Sequence, residues 1–154
     1  MDSVLFLDID GVLNTVPPVQ LIEPEKVHLL ARLIHATGAD IVLHSGWRMW
    51  FDSHMQPLRI EATLLVDLFS TEGLTLSDMT PDLTTEEIRR TKKFSLVKAQ
   101  EILAWLEQHP KVNRWCVIDD LDLRNDVVSA HQIRPDANIG ITAENIADAI
   151  ALLK

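Results

Sequence analysis

The chain predicts an α/β fold: a Rossmann-like, three-layer sandwich with a mostly parallel central sheet of about five strands. Three observations predict it. Short uninterrupted apolar runs recur, which is how strands buried on both faces of a parallel sheet read. Stretches with apolar residues at helical spacing separate these runs. Three of the runs close on acids or hydroxyls, where open parallel sheets bind their ligands.

Val4 to Leu7 is the first run and ends in Asp8. After the Pro17-Pro18 turn, Pro24 suits a helix N-terminus, Val27, Leu30, Ala31 and Ile34 share a face, and Gly38 fits a C-terminal cap, so a first helix is expected over 24–37. Asp40 to Ser45 (DIVLHS) is the second run. A helix is expected over 57–69, where Ile60, Leu64, Leu65 and Leu68 align, followed by a short third strand at Leu74 to Leu76. Thr80 to Thr91 mixes Pro, Thr and charges without a clean period and reads as a loop or broken helix. Ala99, Ile102, Leu103 and Leu106 mark a helix ending before Pro110, and Arg114 to Asp120 (RWCVIDD) is the fourth run. His131 to Arg134 is a fifth strand candidate, and Thr142 caps a last helix carrying Ile146, Ala149, Ile150 and Leu153. With no repeat, low-complexity tract or linker, residues 1–154 are expected to form a single domain.

Bulk properties narrow the function. A net charge of −9 excludes strong non-specific nucleic-acid binding, which needs Lys and Arg to displace counterions from phosphates. No stretch reaches the roughly 18–20 apolar residues of a membrane span, and no signal segment opens the chain, so a cytoplasmic protein without membrane partners is expected. The lone Cys116 excludes an internal disulfide and reads as a buried thiol. The six histidines show no close pair at metal-ligand spacing, which argues against zinc.

The chemistry concentrates at the run ends. In LFLDIDGVLN, Asp8 and Asp10 are two residues apart and so can point the same way as the strand leaves its sheet, while Gly11 permits a sharp departure of the backbone. Two converging carboxylates make a hard oxygen site suited to Mg²⁺, and together they can supply the nucleophile and in-line proton donor of phosphoryl transfer. The plainer alternative is a turn, in which Asp and Gly are common. Against it stands the location: an acid following four buried apolar residues needs a partner, and a metal ion is one. Ser45 can hold a phosphoryl oxygen, helped by the amides of Gly46 and Trp47, or can simply cap a helix. Asp119 and Asp120 can complete the metal site, with Asp122 and Asp126 near enough in sequence to support them. Lys98 can neutralise the phosphate, with Lys92 and Lys93 as rivals or with all three simply solvated.

The motifs LFLDIDGVLN, IVLHS, a lysine before the fourth strand, and RWCVIDDLD, in that order, resemble the haloacid dehalogenase (HAD) superfamily. The resemblance implies a HAD fold in which Asp8 attacks phosphorus to form an aspartyl-phosphate. Asp10 would protonate the leaving group and then activate water, with Ser45 and Lys98 completing the catalytic set. It also implies a Mg²⁺ cofactor held by Asp8, the Asp10 carbonyl and Asp120, with Asp119 in support. HSGWR, KAQEILAWL and RPDANIGITAENIADAIALL are similar to HAD domains associated with Swiss Army Knife RNA-repair proteins, with His44 and Gly46 around Ser45 where a Ser-Ser pair is more usual, and Ala99 where Gly is common.

The expected function is therefore a Mg-dependent phosphatase, a phosphoric monoester hydrolase. Its substrate would be a phosphorylated small molecule or nucleic-acid end, such as a nucleotide or RNA-end phosphate. Little room remains for a cap domain, so a minimal cap or none is expected, and Gly11, Gly46, Trp47 and Arg48 are candidate substrate contacts. Trp47 and Trp50 flanking Arg48 can stack a base and grip a phosphate, although tryptophans more often pack. Arg89, Arg90, Lys92 and Lys93 are the one basic cluster and read best as a solvated face. A phosphotransferase, a non-catalytic metal- and phosphate-binding module, and a nucleotide-sugar transferase using its Asp-x-Asp element are the competing functions.

Overall fold

A computed structural model describes all residues, 1–154. Five strands, β1 (Ser3–Leu7), β2 (Asp40–Leu43), β3 (Leu76–Met79), β4 (Arg114–Ile118) and β5 (Gln132–Ile133), form one sheet in the order β3-β2-β1-β4-β5. Every pairing is parallel. Six α-helices accompany them: α1 (Pro24–Thr37), α2 (Ile60–Thr71), α3 (Glu86–Thr91), α4 (Ser95–Glu107), α5 (Asp126–Ser129) and α6 (Ala143–Leu153). This is the expected Rossmann-like α/β sandwich.

Strand alternation explains the unbroken apolar runs. Leu5 and Leu7 of β1, Ile41 and Leu43 of β2, and Cys116 and Ile118 of β4 join the larger core, which α1, α2 and α6 cover. The intervening Val4, Phe6, Val42 and Val117 join a smaller core under α4 and α5. Both faces being covered, neither set of side chains can be polar. Helix boundaries follow local chemistry. Pro24 starts α1 and Gly38, at φ +70°, ends it. The Thr142 hydroxyl accepts from the Asn145 amide while the Asn145 side chain accepts from the Thr142 amide, a complete capping box for α6.

Several boundaries differ from the sequence reading. The third strand begins at Leu76, not Leu74, because Gly73 (φ +71°) ends the α2 turn and Leu74 drops into the core, its amide donating to the Phe69 carbonyl. Helix α2 starts at Ile60 rather than Pro57, since Pro57 bridges to Phe51 and Leu58 donates to Trp50 in a tight turn. Within the stretch read as a loop or broken helix, α3 forms, with the Thr85 hydroxyl capping the Ile88 amide. A 3₁₀ turn at Gly46–Trp50 follows β2.

Register then places the polar run ends together. Leu7 lies opposite both Leu43 and Ile118. Hydrogen bonds continue one residue further, from Asp8 N to Ile118 O, His44 N to Leu7 O, Thr80 N to Leu43 O and Asp119 N to Ile133 O. Asp8, His44, Thr80 and Asp119 therefore form a row across the carboxyl edge of the sheet.

Candidate active site

Asp8 sits at the centre of that row, buried, with its Oδ1 accepting its neighbour's amide, that of Ile9. Lys98 reaches up from the first turn of α4, buried as well, placing Nζ 2.6 Å from Asp119 Oδ2 and 3.5 Å from Asp8 Oδ2. Asp119, fully buried, uses its other oxygen to accept the Leu121 amide. Asp120 packs against Gly11, in the turn that follows Asp8. A Cβ on Gly11 would lie 2.7 Å from the Asp120 carboxylate, so glycine is required there both for its φ of +80° and for this approach. The Asp119 carbonyl accepts from Gln132 Nε2 and the Asp120 carbonyl from Arg134 Nε, which anchors the acidic turn to the edge strand.

Three carboxylates, those of Asp8, Asp119 and Asp120, bring ligand oxygens within 4.8 Å of one another. One lysine faces them. Burial, together with the charges of Asp119 and Asp120, pushes the Asp8 carboxyl well above its ordinary value despite Lys98. Burial also lifts Asp120, again with the Asp119 charge adding. Burial alone would lower the Lys98 ammonium, but Asp8 and Asp119 outweigh it and raise it. A cluster of hard oxygen donors with this excess of negative charge is what a divalent cation fits, because its charge restores the ionised carboxylates. Asp8, Asp119 and Asp120 could hold such an ion, Asp119 being engaged as well by Lys98 and the Leu121 amide.

Asp10 lies at the mouth, exposed, with both oxygens engaged: Asn14 Nδ2 donates to Oδ1 (2.9 Å) and Trp47 Nε1 to Oδ2 (3.2 Å). Ser45 is buried below and its hydroxyl accepts the Trp47 amide, so it caps the 3₁₀ turn while still lining the cavity. Asp8, Asp10, Ser45, Gly46 and Lys98 line one side of a cavity of about 310 Å³, with Met49, Phe94, Val97 and Leu121 as its apolar wall. The segment 82–94, including α3, closes the far side through Asp82, Thr84 and Arg89.

The remaining expected contacts are placed differently. Trp47 is only 3% exposed and packs on Trp50, ring centroids 4.8 Å apart, so its face is not free for a base; Trp50 is in turn covered by the Arg59 guanidinium at 4.4 Å. Gly11's amide is taken by Asn14 Oδ1. Arg48 lines the cavity, but its guanidinium donates to Thr80 Oγ1 (2.7 Å), Pro81 O (3.0 Å) and Glu101 Oε2 (3.0 Å), the last fully buried. The same Thr80 hydroxyl shares a 2.7 Å hydrogen bond with His44 Nδ1. Burial, then the charges of Lys98 and Arg48, holds His44 well below its ordinary value and therefore neutral. Lys92 and Lys93 are exposed beside α3, and Lys98 is the lysine paired with Asp8. Asp122 caps the Arg124 amide and Asp126 opens α5. Asn14, Thr80, Glu101 and Gln132 had no assigned role from sequence. Of these, Glu101 carried a signal, being three residues beyond Lys98 on the same helix face.

Fold and site together define the HAD class of α/β hydrolase: a parallel sheet whose central strands end in an aspartate pair, a serine and a second acidic pair, with a lysine from the helix before the fourth strand. Residues 4–146 match the family described as the HAD domain in Swiss Army Knife RNA repair proteins, and the chain belongs to that family. No curated protein and no solved structure matches the chain. No helix is long and apolar enough to cross a membrane.

Proposed function

We propose that the protein is a Mg²⁺-dependent phosphatase that hydrolyses a phosphate ester through an aspartyl-phosphate on Asp8. The observation that carries this reading is the convergence of Asp8, Lys98, Asp119 and Asp120, of which Asp8 and Lys98 line the cavity together with Asp10. Asp8 and Asp120, with the Asp10 carbonyl, would hold the magnesium ion, which would supply positive charge to the transferring phosphoryl group. Asp8 attacks phosphorus as the ester P–O bond breaks, and the Asp10 carboxyl gives its proton to the departing oxygen. Water then attacks the acyl phosphate, its proton passes to Asp10, and inorganic phosphate leaves with Asp8 restored. Lys98 and the Ser45 hydroxyl hold phosphoryl oxygens, and Asp119 keeps Lys98 in place.

The substrate is a nucleotide or RNA-end phosphate. The family's description names RNA repair, and the cavity has a size and apolar wall suited to a leaving group larger than a simple alcohol. Release of phosphate from para-nitrophenyl phosphate with Mg²⁺, reduced about 10⁴-fold or more in Asp8→Asn, tests the chemistry. A screen of phosphorylated RNA ends, nucleotides and sugar phosphates tests the substrate. An Asp8→Asn variant that retains wild-type turnover overturns the reading.

A further inference from the structure

Asp10 differs from the other acids of the site in being exposed, beyond the last ladder hydrogen bond of β1. An exposed carboxylate samples several rotamers, and an acid that must deliver a proton in line with a breaking bond loses rate when it does. Here two donors remove that freedom. The indole N–H of Trp47 meets Oδ2 and the Asn14 amide meets Oδ1.

Both donors are themselves held. Trp47 belongs to the larger core, is 3% exposed, packs on Trp50, and has its backbone fixed by the Ser45 cap. Asn14 is buried, with its Oδ1 accepting from Gly11 and its Nδ2 also donating to the Leu21 carbonyl. Indole is a donor only, and a buried N–H needs an acceptor, so the contact is favourable from either side. Each carboxylate oxygen offers two lone-pair sites, and one donor on each leaves a site free for the proton in transit.

We propose that Trp47 is a positioning residue that, with Asn14, clamps the Asp10 carboxyl in the orientation that protonates the leaving oxygen. The inference rests on the phosphatase reading above. It assigns Trp47 to the proton transfer rather than to substrate stacking.

Leaving-group dependence separates this role from a merely structural one. A nitrophenolate departs without a proton, whereas an alkoxide requires one. A disordered acid therefore slows formation of the aspartyl-phosphate selectively for alkyl esters, a step read in kcat/KM, while hydrolysis of that intermediate is common to all esters and enters kcat alone. Trp47→Phe keeps the ring and removes the N–H. It is expected to lower kcat/KM for alkyl phosphates by about 10-fold or more, a part of the 10²–10⁴ that a general acid contributes. The loss in kcat/KM for para-nitrophenyl phosphate should be much smaller. Asp10→Ala should show the same leaving-group pattern at greater depth.

The contact is also read without turnover and on a wild-type fold. Among the four tryptophan indole N–H resonances in a ¹H–¹⁵N spectrum, the one absent in Trp47→Phe should shift and exchange faster with solvent in Asp10→Ala. This spectrum decides the case if Trp47→Phe folds poorly, with the resonance then assigned by selective labelling. A loss in kcat/KM of equal size across leaving groups, or an indole signal indifferent to Asp10→Ala, overturns the clamp while leaving the phosphatase reading intact. A wild-type protein that turns over none of the esters overturns both.

Discussion

The two faces of the sheet are built for different tasks. Beneath α1, α2 and α6, a cluster of 25 buried apolar residues forms a dry core. Beneath α4 and α5 the apolar cluster has nine members, and buried charge takes up the neighbouring space: Lys98 and Glu101 on α4, with Arg48 and Asp119 opposite them. Apolar burial contributes net stability, whereas a buried ion pair seldom does against a well-packed apolar alternative. The second face therefore gives up some stability to hold charges at the carboxyl edge, and the first face compensates.

Breaking the charged face should produce the largest effect. Lys98→Met removes the cation between Asp8 and Asp119 and leaves three carboxylates facing one another. Chemical denaturation without divalent metal should show a loss of about 3–5 kcal/mol at neutral pH, the scale for orphaning a buried charge. Turnover should fall with it, and a stability equal to wild type would contradict the picture of a charge-strained face. On the dry face, Leu65→Ala should cost about 2–4 kcal/mol through cavity formation. Its kcat, measured well below the melting temperature, should match wild type, since Leu65 lies in the core away from the cavity.

A smaller effect separates the faces by pH. His44 is neutral when folded and titrates near 6.5 when unfolded. Its folded value is depressed, so the unfolded chain binds the extra proton. Stability is then full above about pH 6.5 and falls as pH drops below it, by up to about 1.4 kcal/mol per pH unit. Melting curves from pH 7.5 to 5 should show that slope reduced in His44→Gln. The smallest effect is expected at the rim. Arg89→Gln breaks an exposed pair with Asp82 and should change stability by less than about 0.5 kcal/mol.

The same contrast explains what was legible in the sequence. Runs such as Val4 to Leu7 announce a two-sided core, and an acid directly after one announces a site. Strand order and register then bring Asp8, Lys98, Asp119 and Asp120 together without further information. Pro24 and Gly38 marked α1 at both ends because each acts locally. What stayed hidden depends on long-range pairing. Arg48 lies beside the site in sequence, yet its guanidinium is committed to Thr80, Pro81 and Glu101, residues 32 or more positions away. Trp47 could have packed or stacked a base, and only its depth in the core and its 3.2 Å contact with Asp10 show which. The third strand was misplaced by two residues because Leu74 is apolar for the core, not for the sheet.

The central claim is that Asp8 forms a bond to phosphorus with a divalent cation alongside. Beryllium fluoride added with Mg²⁺ mimics that acyl phosphate, and ¹⁹F spectra report the adduct directly. A protein-bound fluoride signal that requires Mg²⁺ and vanishes in both Asp8→Asn and Asp120→Asn is the expected result. A signal that survives Asp8→Asn, or none at saturating beryllium fluoride and Mg²⁺ with the wild-type protein, would contradict it.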